Sequence, residues 1–336
     1  MLSERPLLTI AVPTYNRAHL VGPLLAEFKR QLRDESRVEM IVSNNASTDG
    51  TKIVVDSLCD GWPNAVCLHN ERNIGADANF IQCFEKAAGR YLWIFSDDDF
   101  PAPGCIETVL DLISRDDYDL IYVNSYIFDD DPTHSSTARK ASRPAEVFTS
   151  ASSFAARIHV FFTFISANII NKDRVIASGS NDFSGLVGSN LAQLGWVCPA
   201  LEAPGKKLYI HARLVGNRAD NTGGYALCQI FGVNLKKIAQ QRLANQQCRR
   251  IILNGTIARF FPHHLYTLIA KEGGSSFFSE DPHQVLIHVF GNNCRYWVFV
   301  YPVISLPARA AGIWLLMGRI INKVDKSLGS PMLRWP

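Results

Sequence analysis

Over its first 130 residues the chain alternates apolar runs of strand length with amphipathic runs of helix length. That alternation restricts the fold more than any other feature of the sequence. The strand candidates are Leu7–Val12, Val38–Ser43, Val66–His69, Tyr91–Phe95 and Leu120–Tyr126. Between them Leu20, Leu24, Phe28 and Leu32 recur every four residues, on one helix face. Ser47 can cap a helix that carries Val54 and Leu58. Phe80, Ile81, Phe84 and Ala88 line another, which Gly89 stops. Ile106, Val109, Leu110 and Ile113 line a fourth, entered through Pro101 and Pro103. Strands and helices alternating at this spacing imply βαβ units and a mainly parallel sheet. Ligands of such sheets bind outside the carboxyl ends of the strands.

One strand ends as a core does not. In YLWIFSDDDF, residues 91–100, a mostly apolar run leads straight into Asp97, Asp98 and Asp99. Adjacent carboxylates repel one another, so something must sit opposite them. Carboxylates at a strand end can hold Mg²⁺ or Mn²⁺, which prefer hard oxygen ligands. Such an ion would cancel the repulsion and stabilise a departing diphosphate. A solvated acidic turn is the bland alternative. It suits Asp129–Asp131, which fall in a polar stretch, better than it suits a cluster behind a buried strand.

The other strand ends keep similar company. TIAVPTYNR (9–17) closes the first strand, SNNASTDGT (43–51) the second and NERNIGADANF (70–80) the third. In this order and spacing the four stretches resemble family 2 glycosyltransferases. The string NIGADANF…GRYLWIFSDDD looks most like the abequosyltransferase-like branch, whose members attach O-antigen sugars. FISANIINKDRV (164–175) and NLAQLGW (190–196) look like that branch too. The resemblance covers roughly residues 5–125. It implies an α/β GT-A nucleotide-diphospho-sugar transferase fold, a mainly parallel Rossmann-like sheet, with a helical C-terminal extension. The expected division is 1–222 for the transferase domain, with 1–130 binding the nucleotide sugar and 131–222 the acceptor. Residues 223–336 would form a helical, basic, membrane-associating region. A dinucleotide-binding dehydrogenase would need G-x-G-x-x-G after the first strand, and PTYNRAHL has no glycine.

By resemblance, Pro13, Thr14 and Tyr15 line the base and ribose, with Tyr15 offering a stacking face. Arg72 reaches the base or diphosphate, Asp97 holds the ribose, Asp99 binds Mn²⁺ or Mg²⁺, and Asp98 supports either role. Asn16 and Arg17 read as a helix start. Where relatives carry an acid that contacts the nucleobase, this chain has Asn44. A carboxylate only accepts hydrogen bonds, whereas a carboxamide also donates and suits the edge of cytosine. A cytidine-diphosphate donor is therefore expected, and the resemblance implies that it carries a dideoxyhexose; an Asn44 that only caps the turn through its side chain is the alternative. The family's usual Glu-Asp pair, which supplies the base, is missing from GSNDFSGLVGSNLAQLGW. Its only carboxylate, Asp182, is the candidate base; a plain turn residue is the alternative.

The remaining partners follow from composition and charge. From Gly223 onward there are 13 Lys and Arg against 4 Asp and Glu, whereas the chain as a whole carries only +3. RYWVFVYPVISLPARAAGIWLLMG (295–318) is the most apolar stretch, broken by Pro302, Pro307 and Arg309. It reads as an interfacial element; a buried hairpin and a true span are the alternatives. The resemblance implies a polyprenyl-diphosphate-linked oligosaccharide as acceptor, and a basic, aromatic element at an anionic bilayer surface fits it. The protein would lie on the inner face of the cytoplasmic membrane, with no nucleic-acid partner. The loop HARLVGNRADNTGG (211–224) could close over a diphosphate; a plain surface loop is the alternative. Eight scattered cysteines show no C-x-x-C pair, so reduced thiols are expected, and LLTIAV is too short for a secretory leader. A non-catalytic nucleotide- or glycan-binding scaffold is the competing function.

Overall fold

The computed structural model describes residues 5–129, 145–219, 226–270 and 280–327. The chain divides into two compact units, Met1–Asn221 and Thr222–Pro336. Residues 130–144 of the polar stretch that Asp129–Asp131 open, and Asp220 with the rest of the closing loop to 224, lie outside the described residues.

The first unit opens with the expected alternation. Its elements are β1 (Leu8–Thr14), α1 (Ala18–Leu32), β2 (Val38–Asn44), α2 (Thr51–Cys59), β3 (Ala65–His69), α3 (Ala76–Lys86) and β4 (Tyr91–Ile94). Next come β5 (Phe100–Pro101), α4 (Cys105–Arg115), β6 (Tyr118–Phe128), β7 (Ala145–Phe148), α5 (Ala151–Ile158) and β8 (Asn168–Asn171). Then α6 (Lys172–Ala177), α7 (Leu194–Glu202) and β9 (Lys206–Arg218) complete it. Among the described residues all nine strands belong to one sheet, in the order β3-β2-β1-β4-β8-β6-β9-β5, with β7 paired to β9. The sheet is parallel across β3, β2, β1 and β4. It turns mixed at β8, which runs antiparallel to both β4 and β6. This is the GT-A architecture, less uniformly parallel than the early alternation implies.

The core lies where apolar faces of sheet and helices meet. Tyr91, Trp93 and Phe95 are fully buried, and Phe28 of α1 packs edge-on against Phe95 at 5.1 Å. Trp93 donates its indole N–H to the Ser166 carbonyl, so the ring is buried without an orphan donor. Helix α1 buries Val21, Leu24, Leu25, Phe28 and Leu32 rather than starting its stripe at Leu20. A period of four drifts against 3.6 residues per turn, and the buried face rotates with it.

Two expectations need correction. Residues His211–Arg218 are not part of a loop: they extend β9, paired with β6 as far as Phe128. And the thiols are not all free. Cys59 ends α2, Cys67 lies in β3, and the short return between them brings the two into a disulfide.

The second unit is helical among its described residues: α8 (Leu235–Arg242), α9 (Gln246–Gly255), α10 (Phe261–Ala270), α11 (Pro282–Phe290), α12 (Tyr301–Ser305) and α13 (Ala308–Ser327). Its core gathers Cys228, Ile257, Phe261, Leu265, Leu286, Phe290, Tyr296, Val300 and Val303. The first half of the apolar stretch 295–318 therefore packs inside the unit instead of lying at an interface. A run this apolar satisfies either environment, and tertiary packing decides. No described helix is long and apolar enough to cross a membrane.

Candidate active site

The parallel register brings three strand ends level, with Thr14 opposite Asn44 and Asn44 opposite His69. β4 pairs Ile94 with Ala11, so Ser96–Asp99 emerge beside the end of β1. The loops after β1, β2, β3 and β4 thus open on one edge, where a parallel sheet binds its ligands.

Asp97, Asp98 and Asp99 are buried, each about 5% exposed or less. What sits opposite them is Arg17. Its Nη1 lies 2.8 Å from Asp97 Oδ1 and 2.7 Å from Asp98 Oδ2. Asp97 Oδ2 also accepts from the Thr14 hydroxyl at 2.7 Å, and Asp98 Oδ1 from the Ser96 hydroxyl. One guanidinium faces three carboxylates, so the cluster keeps a net negative charge. Burial, against the pull of Arg17 and with the push of Asp98, raises Asp97 to about 6. Burial and the charges of Asp98 and Asp97 raise Asp99 well above the usual carboxylate range. Burial works against the charge on Arg17, but the two carboxylates hold it above its ordinary value.

Asp99 differs from its neighbours in one respect: its Oδ2 is buried without a hydrogen-bond partner. A buried orphan oxygen is costly and suits a cation. Among the described residues no three His, Cys, Asp or Glu side chains converge as a metal-holding group. Magnesium sites at phosphates commonly use one or two carboxylates, with substrate oxygens and water completing the shell. Asp99 fits that kind of site.

The first two loops are stitched together. Asn16 N–H donates to the Ser47 hydroxyl, and Asn16 Oδ1 accepts from Thr48 N–H at 2.7 Å. Arg17 N–H donates to Thr51 Oγ1. Asn16 and Ala46 have φ of 53° and 58°, left-handed conformations that non-glycine residues seldom adopt and that recur at functional sites. The second and third loops are joined by Asn45. Its Nδ2 donates to Asn73 Oδ1, and its Oδ1 accepts from Asn70 and from Ile74 N–H.

Of the residues expected to bind the nucleotide sugar, Thr14, Asp97 and Asp98 form one hydrogen-bonded group, and Pro13 is buried in β1 beside them. Tyr15 follows Thr14 and is 41% exposed, open to stacking. Arg72 is exposed in the loop after β3. Asn44 is 2% exposed and engaged at both ends of its amide. Its Oδ1 accepts from Ser47 N–H and its Nδ2 meets His69 Nδ1 at 3.1 Å. His69 Nε2 in turn lies 2.7 Å from Asp56 Oδ1. Asn44 therefore shapes the second loop from beneath.

Asp182 lies between α6 and α7. It is exposed, and its Oδ1 accepts from the backbone and hydroxyl of Ser184. The adjacent Phe183 packs edge-on against Phe84 of α3. Asp77 opens the same helix, about 10 Å nearer the strand ends at 1.5 Å per residue. Asp77 itself is buried, and its two oxygens accept from Asn190 and Ala192 N–H at 2.9 and 3.1 Å. It thereby pins the turn before α7. Sequence reasoning missed both Arg17 and Asp77. The one signal for Arg17 was a cation directly after a strand-end loop; Asp77 looked like an ordinary first-turn acid.

Comparison with known proteins agrees with this geometry. The model for glycosyl transferase family 2 matches residues 9–178. The abequosyltransferase RfbV of Salmonella typhimurium is 36% identical over 98 residues, 28% of each chain. The GalNAc(5)-diNAcBac-PP-undecaprenol beta-1,3-glucosyltransferase of Campylobacter jejuni is 30% identical over 106 residues, 31% of this chain and 34% of that protein. The chain thus matches about a third or less of the length of these curated relatives. The structure of S. aureus TarS 1–349 in complex with UDP-GlcNAc superposes with a TM-score of 0.61 at 14% identity, covering 96% of this chain and 92% of that one.

Proposed function

The chain belongs to glycosyl transferase family 2, and from that premise we propose that it moves a dideoxyhexose from a cytidine-diphosphate donor to a polyprenyl-diphosphate-linked oligosaccharide. The observation that carries this reading is the buried Asp97–Asp99 cluster at the strand ends, bridged by Arg17 and left with one unpartnered oxygen on Asp99. The product would be an O-antigen or related surface polysaccharide. The similarity to RfbV supports the donor, and the similarity to the Campylobacter enzyme supports a polyprenol-linked acceptor.

In this reading Tyr15 stacks on the base, above Pro13 and Thr14. The second loop, shaped by Asn44, meets the edge of the base, and Arg72 closes on the base or diphosphate. Asp97 accepts from the ribose hydroxyls while Asp98, through Arg17, holds Asp97 in place. Asp99 would hold Mn²⁺ or Mg²⁺, which supplies positive charge to the departing diphosphate when bound. The acceptor hydroxyl loses its proton as it attacks the anomeric carbon, and Asp182 is the carboxylate we assign to receive it. The enzyme would work as a peripheral protein on the inner face of the cytoplasmic membrane.

A panel of nucleotide sugars, scored for stabilisation of the folded protein and for Mn²⁺-dependent turnover, tests the reading. Cytidine-linked donors should stabilise most and be consumed. Stabilisation without consumption of any donor would favour a non-catalytic binding protein, a reading that the missing Glu-Asp pair also supports.

A further inference from the structure

We infer that α13 is an interfacial helix that lays one face on an anionic lipid bilayer. The inference deepens the peripheral location proposed above and rests on it, but it does not depend on the transfer chemistry.

Helix α13 has two apolar faces. Ala311, Trp314, Leu315 and Gly318 share one, at spacings of three and four. Ala311 is fully buried, Trp314 donates its indole N–H to the Val298 carbonyl, and Gly318 is buried where a Cβ would meet Phe299. Ile313, Leu316, Met317 and Ile320 repeat the same spacing on the other side. Their exposures are 63%, 58%, 46% and 63%, with Ile321 beside them at 37%. A helix at the surface of a globular unit ordinarily turns polar residues outward. Here the outward face is a continuous row of large aliphatic side chains.

The charges decide what covers it. Arg309 and Arg319 are exposed on this helix, and its sequence goes on to add Lys323 and Lys326 against one acid, Asp325. Aliphatic side chains bordered by cations match the two layers of an anionic leaflet, acyl chains beneath and negative headgroups above. The helix cannot cross that leaflet as a span. Arg309 and Arg319 are about 15 Å apart along the axis, half the roughly 30 Å of a hydrocarbon core.

Full-length protein should be sedimented with vesicles of phosphatidylglycerol and phosphatidylcholine, and with phosphatidylcholine alone. We expect binding to the mixed vesicles that weakens in high salt and is at least about tenfold weaker on phosphatidylcholine. The double substitution Ile313→Ser with Ile320→Ser should lower binding by about tenfold or more, because each removes apolar carbons from the bilayer. Both positions are exposed, so helicity and melting temperature should not change. Arg319→Glu should weaken binding to the mixed vesicles only. Cytidine diphosphate affinity should be the same in every variant. Wild-type binding by the double variant, or equal binding to both vesicles, overturns the inference. So does self-association that the same double substitution abolishes in the absence of vesicle binding, since the face would then belong to a second copy. Vesicle binding as expected with no nucleotide binding would overturn the transfer reading and leave this one standing.

Discussion

Arg17 and Asp97 lie 80 positions apart in the chain and are joined by a 2.8 Å ion pair between the start of α1 and the end of β4. The same nitrogen reaches Asp98 at 2.7 Å. The pair ties the first strand-end loop to the fourth, and with the contact to Asp98 it keeps two of the three buried carboxylates from standing alone.

Arg17→Ala should destabilise the protein by about 1.5–3 kcal/mol, the range for hydrogen bonds to charged groups, and should weaken donor binding. Arg17→Lys should recover part of both, since it restores the charge without the fork. Thermal melting and donor titration would check this. A wild-type melting temperature for Arg17→Ala would show that the bridge contributes nothing to the fold.

The acidity of Asp97 predicts a pH signature. Its folded value of about 6 lies above the ordinary 3.8, so the folded state holds this proton more tightly than the unfolded chain does. The group therefore costs stability progressively as pH rises from about 4 through 6. Asp97→Asn carries no such cost. The stability of Asp97→Asn relative to wild type should climb over that interval, by about 3 kcal/mol at most, and level off above it. A flat difference between pH 4 and 7 would contradict the buried, raised carboxyl.

Asp99→Ala should lower turnover by about 10²–10³, the scale of a single electrostatic contributor to leaving-group stabilisation. Chelation should do the same to wild type and little further to the variant. Turnover that survives both treatments would remove Asp99 from the metal role.

In competition binding, CDP should outrank UDP and dTDP. Asn44→Asp should narrow that ranking and cost about 1–3 kcal/mol of stability, because a carboxylate sets an acceptor against His69 Nδ1 where the amide donates. Best binding by UDP, or an unchanged ranking in the variant, would end the assignment of the second loop to the base edge.

On the acceptor side, Asp182→Asn should abolish transfer while donor affinity stays near wild type. Asp77→Ala should instead leave two backbone N–H groups without their acceptor, costing about 1–3 kcal/mol and raising the acceptor KM. Measuring both substrates separately distinguishes base from anchor. Equal loss of donor binding in Asp182→Asn would make it structural.

The strand ends were legible because short apolar runs closed by Asn-, Asp- and Gly-rich loops leave few other folds. Asp97–Asp99 were legible because three charges behind a buried strand violate local expectation. The partner of that cluster was not legible: a cation 80 positions away looks like any helix start until the sheet closes. The mixed half of the sheet was hidden for a similar reason, since nothing local to Asn168–Asn171 says that it runs antiparallel. The stretch 295–318 misled because Tyr296 and Val300 in a core and Ile313 and Ile320 at a surface are equally apolar as letters.

The place of β8 between β4 and β6 has a consequence for how the protein can be made. A ribosome completes β4 well before it supplies the strand that covers β4's open edge. Trp93 waits likewise, since its indole N–H is matched by a carbonyl 73 positions later, at Ser166. Until residues 168–171 emerge, the nascent chain carries an apolar strand with an unpaired flank, which is a template for pairing with other chains. Truncation near residue 130 would make that state permanent. The nucleotide-binding half is therefore no transplantable cassette: expressed alone it should aggregate, and it becomes a soluble unit only when translation has passed β8.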